Sequence, residues 1–124
     1  MRGQQKMTNE EVFMLHEKLE CYRRAVGLAE ELSKEGARWP RGLGYLYDQL
    51  RRAIASVVLN IAEGNARRSA AERRRFFEIA RASAVEVSAC VDLASSFGVM
   101  PPLTSSAVKS RLTEVSKMLW ALMR

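Results

Sequence analysis

What most constrains this chain is a three-and-four spacing of apolar residues that recurs in four segments, with glycine or proline between one segment and the next. About Asn9 to Glu35 it places Val12, Leu15, Leu19, Tyr22, Val26 and Ala29 on one stripe. About Gly44 to Glu63 it does the same with Leu46, Leu50, Ala53, Ile54, Val57 and Ile61. A third segment carries Phe76, Ala80, Ser83, Val87, Cys90, Ala94 and Phe97, and a fourth, from near Thr104, carries Val108, Leu112, Val115, Leu119 and Leu122. A helix turns once in about 3.6 residues, so each set faces one way and has to be buried against the others. Gly36, Gly64 and Gly98 stand where the first three helices should end. Pro40 biases Trp39 away from helix, and Pro101-Pro102 forces a break. Thr8 with Glu11, and Ser69 with Glu72, have the spacing of capping boxes. No sustained alternation argues for strands. The expected fold is all-α: an up-down-up-down antiparallel four-helix bundle over residues 9–124, a single domain behind a flexible arm, residues 1–8.

The helices carry more apolar surface than one core needs. Leu59 lies opposite the second helix's stripe, Ala82, Val85 and Ala89 lie away from the third's, and Met14, Ala25, Leu28 and Leu32 lie off the first's. Repeated rows of this kind point to a second buried face and so to self-association through Leu59, Ala82, Val85 and Ala89, as a dimer or a closed ring. A wide core stripe is the plainer explanation for the same residues.

Catalysis has little to work with. His16 is the one histidine, early in the first helix. Cys90 falls in a core stripe, Cys21 sits among charged neighbours, and the two lack metal or redox spacing. There is no glycine-rich phosphate loop. Glu63, Glu72, Glu78 and Glu86 lack the Glu-x-x-His pairs that carboxylate metal sites in bundles normally contain. The expectation is therefore no enzyme activity, no metal and no cofactor. With no apolar run of about 20 residues and a polar start that does not read as a signal peptide, the chain is expected in the cytoplasm, away from membranes.

The charge is more informative. The 124 residues carry a formal net charge of +6, and of 20 basic residues 15 are arginine. Arginine's planar fork of donors matches phosphate, although codon usage alone can also enrich it. Arg67, Arg68, Arg73, Arg74, Arg75 and Arg81 fall within fifteen residues, opposed only by Glu72 and Glu78, and Arg67 and Arg68 precede a helix start, where free amides attract anions. These six are the expected nucleic-acid contacts, reading backbone and shape rather than bases, with Arg51 and Arg52 as secondary ones. Gln49, Ser56, Asn60, Glu63 and Glu86 flank the seams as a polar network that sets helix register. Two rivals stand beside this reading. One is an adaptor whose arginines meet an acidic protein surface; the other is a metal or small-molecule enzyme around Glu63 and Glu86.

The junction of the second and third helices also carries a resemblance. Gln49-Leu50-Arg51-Arg52-Ala53, Ser56, Asn60-Ile61-Ala62-Glu63-Gly64, Arg68-Ser69, Glu72, Phe76 and Ile79-Ala80 resemble the bacterial four-helix bundle family of 23S rRNA intervening-sequence proteins, most strongly over residues 46–86. The resemblance implies a homopentameric ring and no catalytic residues. A related branch, the accessory variability determinant proteins of diversity-generating retroelements, implies basic pentamers that bind a reverse transcriptase and its template RNA or DNA. The arginine richness here suits that branch.

Overall fold

The computed structural model describes residues 6–124, and over them it is four helices with no strand: α1, Asn9–Ala37; α2, Gly44–Ala66; α3, Ala70–Ser96; and α4, Pro102–Leu122. Most of the expected arm, residues 1–5, lies outside the described residues; of the rest, Thr8 caps α1. There the capping box is complete: Glu11 N donates to Thr8 Oγ1 at 3.0 Å, and Thr8 N donates to the Glu11 carboxylate at 3.0 Å. At α3 only one half is present, Glu72 N donating to Ser69 Oγ at 3.2 Å. α4 begins two residues before the expected start because Pro102, which has no amide to leave unsatisfied, occupies its first position.

Each helix packs against its two neighbours, α4 closing back on α1, so the core is the axis of an antiparallel square. Cross-helix contacts give the directions. Ser33 faces Tyr47 and Lys18 faces Asn65 between α1 and α2; Gln49 faces Glu86 and Ser56 faces Ser83 between α2 and α3; Asp92 faces Lys109 between α3 and α4. The expected seams of α2 and α4 are buried in full. On α3, Ala80, Val87, Cys90 and Ala94 are buried as expected, but Phe76 and Ser83 are half-buried and Phe97 is exposed. Phe77, Ala84 and Val91 bury instead, so the stripe is wider than a two-position seam.

α1 reverses the expectation. Cys21, Ala25, Leu28, Leu32 and Gly36 are buried, Met14 packs at their edge, and the anticipated stripe of Val12, Leu15, Leu19, Tyr22 and Val26 faces outward. Both stripes have helical period, so spacing alone does not choose between them. The inner one carries small residues that let α2 and α4 approach closely. No residue from Asn9 to Glu20 is buried, and Lys18 is already level with the end of α2, so α1 reaches past its neighbours by about two turns.

Two of the three glycines also differ from expectation. Gly36 and Gly64 lie inside α1 and α2, buried, and a Cβ on either would overlap an aromatic ring: Tyr47 at Gly36, Phe77 at Gly64. Close approach, not helix termination, is what these positions require. Only Gly98 ends a helix through a left-handed conformation, with φ +75°.

Candidate nucleic-acid interface

The arginine-rich segment resolves into three groups with different surroundings. The first is the turn between α2 and α3. Arg67 is paired to Glu63 at 2.6 Å and lies over the Phe76 ring, 4.9 Å from its centre. Arg73 is turned back toward the bundle end, where its guanidinium donates to the carbonyls of Arg67, at 3.3 Å, and Arg68, at 2.5 Å. It therefore closes the turn from beneath, and its charge also presses the nearby Lys18 ammonium below its ordinary range, after the larger effect of that group's burial. Arg68 and Arg75 are exposed, and neither has an ion pair among the described residues.

A second group lies where α3 meets α4. Arg74 Nη2 donates to the carbonyl of Met123 at 2.9 Å, tying the start of α3 to the end of α4. Seven residues on, the Arg81 guanidinium lies over the indole of Trp120, 5.0 Å from the ring centre. The third group does not join the others. Arg51 stacks on Tyr47, 5.5 Å from its ring centre, on the side of α2 toward α1. Arg52 is exposed, roughly 20 Å along α2 from Arg67 at about 1.5 Å per residue. The expected single patch is therefore a turn cluster and an α3–α4 row, with Arg51 and Arg52 apart from both.

Four of the five residues expected in one polar network make hydrogen bonds along the α2–α3 seam, in two separate sets. Ser56 and Ser83 share a hydrogen bond of 2.7 Å. Asn60 Nδ2 donates to the Ser56 carbonyl at 2.8 Å, and Gln49 Nε2 donates to Glu86 at 3.2 Å. Glu63 is in neither: it points to the turn and holds Arg67. Because Glu86 is level with Gln49 and Glu63 lies fourteen residues further along α2, the two carboxylates are about 20 Å apart and cannot share a substrate or an ion. No three metal-ligating side chains converge among the described residues. Both thiols are protected: burial pushes Cys21 up to about 12 and raises Cys90 as well. No helix among the described residues is long and apolar enough to cross a membrane.

Leu59, Ala82, Val85 and Ala89 are all exposed, Leu59 and Val85 at 63 % and 70 %. The apolar surface on α2 and α3 that was expected outside the core is thus outside it, joined by the larger stripe of α1.

Sequence reasoning missed the polar side of α4. Lys109, Ser116, Lys117 and Trp120 line a groove of about 570 Å³ with Arg81 and Ser88 of α3. Their positions in the sequence repeat on one side of the α4 seam, a signal that an apolar stripe alone does not display.

Comparison with known proteins agrees with this architecture. A protein of unknown function from the S23 ribosomal protein family of Bacteroides thetaiotaomicron, solved by crystallography, matches with a TM-score of 0.66 at 22 % identity. The match covers 90 % of this chain and 95 % of that one, and shows a shared fold. No curated protein matches. The family model described as 23S rRNA-intervening sequence protein matches residues 17–121, from the middle of α1 almost to the end of α4. With nearly the whole bundle inside that match, the chain belongs to the 23S rRNA-intervening sequence protein family.

Proposed function

We propose that this protein is a non-catalytic, self-associating, nucleic-acid-binding scaffold of the cytoplasm, needing no cofactor and meeting RNA or DNA phosphates through the α2–α3 turn. The observation that carries the reading is the state of the arginines there. Arg68 and Arg75 are exposed without ion pairs among the described residues, beside a turn whose carbonyls Arg73 occupies and whose helix start Ser69 caps. A fixed backbone presenting unneutralised guanidinium groups suits phosphate, and loses affinity as salt rises. Self-association rests on the outward stripe of α1 together with Leu59, exposed apolar rows of this kind marking interaction surfaces. A pentameric ring, and service as the accessory subunit of a retroelement reverse transcriptase, are the finer forms of this reading. Co-purification with such a polymerase, surviving nuclease, tests the second.

The direct test is charge reversal where the guanidinium groups hold nothing else. Arg68→Glu with Arg75→Glu is expected to weaken binding of a labelled structured RNA by about 10-fold or more at moderate salt while helical content stays constant. Unchanged affinity would move the contact surface elsewhere. Arg73 is unsuitable for this purpose, because its reversal opens the turn.

A further inference from the structure

Building on the proposed nucleic-acid reading, we infer that the α3–α4 groove around Trp120 is a site for unpaired nucleotides, holding a base on the indole and the flanking phosphates on Arg81 and Lys117. Trp120 is an aromatic residue placed against solvent, 54 % exposed, whereas Trp39, the other tryptophan, is buried at the far end of the bundle against Tyr47. An exposed indole in a groove has an open apolar surface that core packing does not explain. The groove around it is cationic. Arg81 lies over the ring with its Nε buried and lacking an acceptor, Lys117 has no ion pair among the described residues, and Lys109 is held by Asp92 at 2.7 Å. Among the described residues Asp92 is the one carboxylate paired with the groove's cations; Glu78, a turn before Arg81 on α3, makes no ion pair with it. Ser88, Thr113 and Ser116 add hydroxyl groups along the walls. An aromatic ring flanked by cations and hydroxyls is the donor set that single strands use, since every base offers a π-face and every linkage a charge. A duplex keeps its bases stacked inside and has nothing to place on the ring. Arg74, tied to the end of α4, continues the cationic row from this groove toward the α2–α3 turn.

The test is titration of the intact protein with a 12-nucleotide oligo(U), a 12-nucleotide oligo(dT) and a 12-base-pair duplex, following tryptophan fluorescence and fluorescence anisotropy of the labelled strand. Saturable quenching by either single strand, absent with the duplex, is the expected result; the two strands distinguish RNA from DNA. Trp120→Ala should weaken single-strand binding by about 10-fold and leave duplex binding within 2-fold, since base–aromatic stacking carries an effect of about this size. Trp120→Phe should restore most of the affinity without the quench. If Arg68→Glu with Arg75→Glu abolishes binding while Trp120→Ala binds single strands as the parent does, the groove assignment is wrong and the wider reading stands. Binding of no nucleic acid at low salt overturns both. A changed sedimentation coefficient in Trp120→Ala with unchanged affinity would make the groove a subunit contact instead and overturn the assignment.

Discussion

α1 and α2 lie side by side in one bundle and use their apolar residues in opposite ways. α2 has one continuous stripe, all of it buried, with a polar edge whose Ser56 and Gln49 bond to Ser83 and Glu86 of α3. α1 has two stripes, buries the one containing Cys21 and Ala25, and leaves Val12, Leu15, Leu19, Tyr22 and Val26 outside, on a helix that overruns its neighbours. A helix with one apolar face has a single way to fold in; a helix with two leaves one of them exposed in the single chain. The α2–α3 hairpin is thus the stabilised scaffold that sets the basic turn in place, and α1 is the element available for assembly.

The sharpest way to break this contrast is at the hairpin's inner contact. Phe77→Ala empties a fully buried site, and a loss of about 3–5 kcal/mol is expected in denaturant unfolding. Gly64→Ala pushes a methyl into that same ring. Overpacking of about 1–3 kcal/mol should outweigh the gain of about 1 kcal/mol from better helix propensity, so the variant is expected to be less stable than the parent. On α1, Leu19→Glu with Val26→Glu should change unfolding by less than about 1 kcal/mol, because both residues face outward. Its effect is expected in mass: sedimentation should show a smaller assembly, and an unchanged assembly would place the subunit contact on another face.

Cys21 reports on the inner stripe of α1. Its native thiol ionises near 12 and an unfolded one near 9, so above pH 9 the unfolded state sheds a proton that the native state keeps. Stability should therefore fall as pH rises past about 9, and a Cys21→Ala variant should show a shallower decline. The smallest effect is expected at Gly36→Ala. Tyr47 is half-buried, not fully enclosed as Phe77 is, so the crowding should cost less than at Gly64 and be partly offset by the helix-propensity gain of about 1 kcal/mol. A large loss there would show that the α1–α2 contact is as rigid as the α2–α3 one.

The same contrast explains what was legible in the sequence. Helix number, order and antiparallel topology follow from period and from proline, and the seams of α2 and α4 could be named residue by residue because each helix has one apolar face. The inner face of α1 could not, since two stripes of equal period differ only in how closely a neighbour can approach. Gly36 and Gly64 looked like terminators because the ring each one admits lies ten or more residues away in the chain. The arginines were found as a cluster, but their division was hidden. Nothing local distinguishes Arg73, whose guanidinium serves two carbonyls, from Arg75, which holds nothing among the described residues. The Trp120 groove is assembled by two helices and appears in neither alone.

The central claim, that exposed arginines at the α2–α3 turn meet phosphate, is tested most directly by measuring affinity for a structured RNA and a matching DNA duplex across salt concentrations. Contact with about four phosphates predicts that log affinity falls against log salt with a slope of roughly −3 to −4. The Arg68→Glu and Arg75→Glu pair should bind more weakly along a flatter line. Absence of binding at low salt, or binding indifferent to salt, would contradict the account and assign these arginines to a protein surface.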